Sequence, residues 1–193
     1  MQMVKRLKKD EALLVLIDFQ ERIMPAMEGC GELEDAAVRL VKGCRALGVP
    51  TLVTQQYTKG LGATIPALHA ALTEEFSGAE ASSYTPVEKT TFSAMKTPEF
   101  VEALKASGRS TIIVSGIESH VCVQQTVIDL LDAGYTVFVA ADCVSSRKVS
   151  DRRMAKSRMR AEGAVYTTME AILFELCGGA REPGFKEISA IVK

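Results

Sequence analysis

The sequence predicts an α/β fold with a mainly parallel sheet, and three observations carry that prediction. Short, nearly continuous apolar runs recur at Ala12-Leu13-Leu14-Val15-Leu16-Ile17, Pro50 to Thr54, Ser110-Thr111-Ile112-Ile113-Val114-Ser115 and Thr136 to Ala141. Such runs suit strands buried on both faces. Stretches with apolar residues at helical spacing alternate with them, and strand–helix alternation closes right-handed crossovers that place helices on both sides of a sheet. At 193 residues the chain reads as one domain over 1–193. No repeat, low-complexity tract or interdomain linker interrupts it.

The elements follow in order. Lys5, Arg6, Lys8 and Lys9 lead into Asp10 and Glu11 and then the first strand, a pattern unlike a signal peptide. That strand, Ala12 to Ile17, ends on Asp18, followed by Phe19-Gln20. A carboxylate at the carboxyl end of a buried strand occupies the place where open α/β sheets bind ligands. Glu34 to Leu47 predicts a helix with Gly48 as its cap. Pro50 to Thr54 is the second strand, leading into Gln55-Gln56-Tyr57. From Thr58 to Ser83 the pattern weakens, apart from a candidate helix over Pro66 to Leu72, and a loop of this length is often a functional lid.

Tyr84 to Glu88 reads as a short strand or extended arm that delivers Lys89. Thr97-Pro98 predicts a helix start, with Thr as cap and Pro in the first position, and Gly108 closes it. After the strand Ser110 to Ser115, the turn Gly116-Ile117-Glu118-Ser119-His120-Val121-Cys122 leads into a helix over Val123 to Ala133. Gly134 ends that helix before the strand Thr136 to Ala141. Ser150 is the expected cap of a basic helix running to Glu162, and Ala164 to Tyr166 is a last brief strand. Thr167 with Glu170 forms an expected capping box for a helix through Cys177. Gly178-Gly179 then breaks the chain, and Phe185 to Val192 reads as a closing helix or arm.

Composition narrows the function. A net charge of −1 argues against nucleic acid or an anionic membrane as partner. The local exception, Arg147 to Arg160, reads as a solvated helix face or a subunit contact. No apolar run reaches membrane-spanning length. Five cysteines, Cys30, Cys44, Cys122, Cys143 and Cys177, are scattered singly, with no CxxC pair and no disulfide framework. A reducing, cytoplasmic setting is expected.

Several chemistries lack their motifs. Neither G-x-G-x-x-G nor G-x-x-x-x-G-K-[ST] follows a strand, so no nucleotide cofactor is expected. The two histidines, His69 and His120, are not paired at ligand spacing. Asp18 and His120 could share an adventitious ion, but no required metal is expected. A G-x-S-x-G elbow is also absent, with Glu118 where the serine would stand.

What remains is Asp18, Lys89 and Cys122, each at or just past the end of an expected strand. At a helix N-terminus, peptide N–H groups and the helix dipole favour a thiolate, and a cysteine in the setting of Cys122 can have a lowered pKa. A thiol nucleophile also needs a base and a positive group, roles open to Asp18 and Lys89. Singly, each has a plainer reading: Cys122 as a small buried hydrophobe, Asp18 as a cap or turn residue, Lys89 as a solvated loop charge. Three coincident strand-end positions shift the balance toward chemistry.

Asp18-Phe19-Gln20, Glu88-Lys89-Thr90-Thr91-Phe92-Ser93 and Gly116 to Cys122 resemble the three signature blocks of the isochorismatase-like cysteine hydrolases. The resemblance spans about residues 10 to 177, leaving 178–193 as a C-terminal arm. Gln55 to Gly62, Gly116 to Thr126 and the tail Phe185-Lys186-Glu187-Ile188 are most similar to the subgroup of isochorismatase domain-containing proteins. The resemblance implies a Rossmann-like three-layer α/β/α sandwich with a six-stranded sheet and the first and fourth strands adjacent. It implies Asp18 as proton shuttle, Lys89 as its supporting charge and Cys122 as nucleophile. A cis peptide is expected between Ile117 and Glu118, with the backbone N–H groups of Glu118 and Cys122 as an oxyanion hole. A homo-oligomer is expected too.

Two departures refine this. Metal-binding nicotinamidases carry an Asp-x-His and a further His after the second strand, and Gln56 to Gly62 has neither. True isochorismatases commonly lack the cysteine, so Cys122 points to C–N or other acyl cleavage. The expected activity is a metal-independent hydrolysis of a small amide-like substrate through a thioester. Phe19, Gln20, Tyr57, Phe92, His120 and Val121 are candidate pocket residues, each equally readable as core or surface. Two alternatives stay open on the same fold: a small-molecule-binding scaffold with a silent triad, or a thiol redox responder in which peroxide oxidises Cys122, with no resolving cysteine near in sequence and Cys143 the one that could approach in space.

Overall fold

Every residue of strand β1 (Ala12–Ile17) is buried. Ala12, Leu14 and Leu16 enter one apolar cluster, while Leu13, Val15 and Ile17 enter another, following the two-residue period of a pleated strand. Burying each Leu, Ile or Val contributes roughly 1.5–3 kcal/mol relative to leaving it in water, so this strand anchors two cores at once. The computed structural model describes residues 5–193; the first four residues of the expected domain lie outside the described ones.

The other strands are β2 (Thr51–Gln56), β3 (Val87–Lys89), β4 (Thr111–Ile117), β5 (Thr136–Ser145) and β6 (Val165–Thr167). They form one six-stranded sheet in the order β3-β2-β1-β4-β5-β6, with every pairing parallel. The helices are α1 (Cys30–Ala46), the short α2 (Thr58–Leu61), α3 (Pro66–Thr73), α4 (Pro98–Ala106), α5 (Gln124–Asp132), α6 (Val149–Ala161), α7 (Met169–Cys177) and α8 (Phe185–Ile191). Leu40 of α1, Leu68 of α3, Ile172 of α7 and Ile188 of α8 pack one face. Phe100 of α4, Val127 of α5 and Met159 of α6 pack the other. This is the expected three-layer α/β/α arrangement.

β1 and β4 are neighbours, in register from Ala12 opposite Thr111 to Ile17 opposite Gly116. The chain runs from β1 to β2 on one side and from β4 to β5 on the other. Strand order therefore reverses between β1 and β4, and a crevice opens at their carboxyl ends. Gly116 permits the close approach: it lies at φ 151°, and a Cβ there would stand 2.5 Å from the Ile17 carbonyl oxygen.

Several boundaries differ from the sequence reading, each for a local reason. α1 begins at Cys30, not Glu34, because Leu33 extends the buried face by a turn. The Thr58 to Ser83 stretch holds two helices, not one. β5 runs on past Ala141 to Ser145, because Val144 and Ser145 pair with Gly116 and Ile117 after a bulge in the ladder. Thr97 stands at the start of α4 but makes no capping bond; its hydroxyl meets that of Thr91 at 3.0 Å. Ser150 lies inside α6, whose cap position is Lys148. Thr167 belongs to β6, and Thr168 is the residue that caps α7, accepting from the Ala171 N–H. Where two hydroxyl residues adjoin, the strand register decides which one caps.

Candidate active site

Asp18 leaves β1 in the left-handed region, at φ 56°, a conformation that costs a non-glycine residue roughly 1–3 kcal/mol and clusters at functional sites. Its carboxylate is buried and held through both oxygens: Oδ1 accepts from the Thr54 hydroxyl at 2.7 Å and Oδ2 from Lys89 Nζ at 2.6 Å. Lys89, the last residue of β3, has no exposed side-chain surface. Its ammonium also donates to Gln56 Oε1 (2.8 Å) and to the carbonyls of Thr91 (3.2 Å) and Phe92 (3.1 Å). A buried ion pair is tolerable only when its remaining hydrogen-bonding capacity is met in this way.

Cys122 lies beyond β4, in a π-helical turn over Ser119–Val123 that runs directly into α5. The turn is defined by the Val123 N–H donating five residues back to the Glu118 carbonyl at 3.2 Å. Such turns recur at functional sites. The Cys122 carbonyl accepts from Thr126 Oγ1 at 2.7 Å, and that oxygen accepts from the Ala94 N–H at 3.0 Å.

The thiol departs from expectation. Burial, then the Asp18 charge, push the Cys122 thiol up to about 12, although Lys89 pulls it down. The helix-terminus argument for a lowered pKa fails because Cys122 is only 6 % exposed and its thiol lies beside the Asp18 carboxylate. Cys122 therefore rests as a protonated thiol beside the Asp18 carboxylate.

The expected cis peptide joins Ile117 to Glu118. The Glu118 side chain, which sequence reasoning left unused, accepts from the Arg147 backbone N–H at 3.0 Å and from Arg147 Nε at 3.1 Å. Burial raises its carboxyl, but the Arg147 hydrogen bonds and charge outweigh that and hold it below the usual carboxylate value. Ser119 Oγ donates to the Ser145 carbonyl at 3.0 Å. Together these bonds tie the cysteine turn to the end of β5.

The candidate pocket residues separate into groups. Phe19 is 2 % exposed and belongs to the core, a correction to its expected place in the pocket: an apolar ring following a buried strand packs inward. Gln20 is equally buried, and its amide clamps backbone, donating to the Gln56 and Gly62 carbonyls and accepting from the Gln56 N–H. Tyr57 and Phe92 are exposed, at 56 % and 53 %. Val121 is half-buried against the second core. His120 turns to Ser146 Oγ (3.0 Å) and Asp151 Oδ2 (3.8 Å) rather than to Asp18. Thr54 and Gln56 are the residues missed. They stand two apart on one face of β2, a spacing that becomes informative only once β2 is known to lie beside β1.

A cavity of about 440 Å³ opens beside Lys89, lined by Tyr57, Lys59, Thr91, Lys96, Thr97 and Glu99 among others. It does not reach Asp18 or Cys122. Cys143 lies in the core on the opposite face of the sheet from Cys122, so it is not placed to resolve an oxidised Cys122. Among the described residues, no cluster of three or more His, Cys, Asp or Glu side chains is arranged to hold a metal ion, and no helix is long and apolar enough to cross a membrane.

Residues 12–171 match the family model described as the isochorismatase domain. The chain belongs to the isochorismatase domain family. Isochorismatase domain-containing protein 1 of Salmo salar is 41% identical over 91% of this chain. The chain spans only 59% of that relative's length. Isochorismatase domain-containing protein 2 of Xenopus laevis is 38% identical over 98% of this chain and 87% of its own. Among solved structures, one named as MAR1 ribonuclease from Caenorhabditis elegans superposes with a TM-score of 0.86 at 38% identity, covering 97% of this chain and 92% of that one. YcaC from Pseudomonas aeruginosa, solved with hexane-2,5-diol and covalent acrylamide, gives 0.87 at 26% identity over 99% and 93%. The isochorismatase domain thus supplies the sheet on which Asp18, Lys89 and Cys122 meet.

Proposed function

We propose that this isochorismatase-domain protein is a metal-independent cysteine hydrolase that cleaves a small amide-like substrate through a Cys122 thioester. The observation that carries the reading is the buried 2.6 Å Lys89–Asp18 pair acting on the Cys122 thiol. A carboxylate oriented by Thr54 and Lys89 is a general base at the sulfur. In the proposed sequence, Asp18 takes the thiol proton as sulfur attacks the carbonyl, and the oxyanion gathers on the N–H groups of Glu118 and Cys122, a contribution of about 3 kcal/mol per donor elsewhere. Asp18 then protonates the departing amine. Water, deprotonated by Asp18, cleaves the thioester to the acid and returns the thiol. Net, one amide and one water become one acid and one amine.

The relative with covalently bound acrylamide supports a reactive nucleophile on this fold, since acrylamide is an electrophile that thiolates attack. The ribonuclease name of another relative raises a phosphodiester substrate. Against that, all the hydrogen-bonding capacity of Lys89 is taken by protein acceptors, which leaves no free lysine charge at the sulfur for a phosphate. Exposed Tyr57 and Phe92 suit the proposed homo-oligomer, in which they would be covered, and five free cysteines suit the proposed cytoplasmic setting.

The test is a panel of small primary amides, N-carbamoyl compounds and thioesters, with an RNA oligonucleotide added. Hydrolysis of one or more amides, lost in a folded Cys122→Ala protein, is the expected result. Amide turnover that survives Cys122→Ala would overturn the mechanism, and cleavage of RNA alone would replace the substrate class.

A further inference from the structure

A second cavity, of about 290 Å³, lies toward the β6 edge of the sheet, far from β3. Ala141, Val144 and Tyr166 form its uncharged lining, and Arg152, Arg153 and Lys156 of α6 its charged one. No acidic residue lines it. Like charges three and four residues apart on one helix repel each other, so α6 concentrates positive charge here at a cost to itself.

Other roles account for only part of this charge. Arg152 Nη1 meets Glu28 Oε2 at 2.9 Å, which anchors one guanidinium at the rim. Lys156 lies 5.7 Å from the Tyr166 ring centre, and Arg160 stands at the same distance. Neither Arg153 nor Lys156 takes part in an ion pair among the described residues. The nearest acid along β5, Asp142, is turned away, its carboxylate accepting from the Met169 N–H at 2.8 and 3.1 Å. After Glu28 is set against Arg152, about two positive charges face the cavity uncompensated.

We infer that this cavity binds a small organic phosphate, a dianionic phosphomonoester with an apolar or aromatic body. The guanidinium forks of Arg152 and Arg153 match phosphate oxygens, and Lys156 adds a point charge. Tyr166, Val144 and Ala141 would take the body of the molecule. The volume of about 290 Å³ lies at the bottom of the range of roughly 300–1,000 Å³ for small-ligand sites, which limits the ligand to a small one. The site is separate from Asp18, Lys89 and Cys122, and the inference does not depend on the hydrolase reading.

Calorimetric titration with phenyl phosphate, inorganic phosphate and phenol tests it. Saturable binding of phenyl phosphate at one site is expected, tighter than inorganic phosphate, with no binding of phenol, and weakening as salt rises. Arg153→Glu and Lys156→Glu should each weaken it about tenfold or more. Arg158→Glu, on the same helix but outside the cavity lining, and Cys122→Ala should leave it unchanged. No saturation up to about 10 mM, a limit near the weakest useful affinity, would overturn the inference. So would equal losses in Arg158→Glu and Arg153→Glu, which would mean general surface charge, or loss in Cys122→Ala, which would assign the binding to the thiol site. Inorganic phosphate binding as tightly as phenyl phosphate would remove the role of Tyr166.

Discussion

Burial and the Asp18 carboxylate raise the Cys122 thiol to about 12, so its thiolate fraction at pH 7 is on the order of 10⁻⁵. In the proposed mechanism, a thiol in that state depends on Asp18 to take its proton. Three outcomes are expected from the raised thiol and the opposing signs of Asp18 and Lys89. Labelling of Cys122 by iodoacetamide should rise about tenfold per pH unit between roughly pH 7 and 10 without a plateau, because the thiolate is the reacting form. In Asp18→Asn the charge that keeps the thiol protonated is gone while Lys89 stays, so labelling at pH 7 should become faster. Turnover of any amide identified as a substrate should instead fall by about 10²-fold or more, the usual contribution of a general base. Peptide mapping after alkylation and a turnover assay on the same variant check the pair. A variant that labels more slowly and still turns over would remove Asp18 from the proton path.

At the scale of elements, glycines separate two kinds of close approach. At Gly43 of α1, a Cβ would stand 2.4 Å from Leu173 Cδ2 of α7, the far end of a flexible side chain. Leu173 can shift, and alanine also favours the helix by about 1 kcal/mol, so Gly43→Ala should cost no more than about 2 kcal/mol. At Gly116 the neighbour is the Ile17 backbone and φ is 151°, so nothing nearby can yield cheaply. Gly116→Ala should cost about 3 kcal/mol or more and push apart β1 and β4, which carry Asp18 and the cysteine turn. Urea midpoints of the two variants, measured together, check the ranking. The reverse order would mean that the β1–β4 contact is looser than described. The capping residues teach a related lesson. Thr167 and Thr168 are chemically equivalent, and only the end of β6 selects Thr168 as cap.

For the whole molecule, buried thiols set the response to alkali. Cys44 is fully buried, and desolvation raises it to about 12; Cys143 is raised as well, by burial first and then by Asp142. A thiol raised in the folded state holds its proton there while the unfolded chain releases it. Its contribution is therefore complete below the unfolded value of 9.0 and is lost as pH climbs toward the folded one. Each such thiol should remove about 1.4 kcal/mol of stability per pH unit above roughly pH 9. Urea unfolding from pH 8 to 10.5 should show this decline, with a shallower slope in Cys44→Ala. An unchanged slope in that variant would mean that Cys44 is not desolvated as described.

How much was legible follows the range of the forces involved. Ala12 to Ile17 and Ser110 to Ser115 could be read as buried strands because continuous apolar runs have few other solutions. Asp18, Lys89 and Cys122 could be read as candidates because each stands at or just past the end of an expected strand, and the family blocks of the isochorismatase domain joined them. Strand ends moved by several residues at β5, where pairing across the bulge near Gly116 decides how far the strand runs. The inward turn of Phe19, the backbone clamp made by Gln20, and the supporting bonds from Thr54 and Gln56 were not legible. Each depends on which strand lies beside which, and residues far apart along the chain settle that. The sequence by itself determined the α/β class, the buried strands and the chemical types at Asp18, Lys89 and Cys122, because local periodicity and residue chemistry are properties of short segments. Only the tertiary structure decided that Cys122 rests as a thiol, because desolvation and a facing carboxylate arise when β1 and β4 are brought side by side.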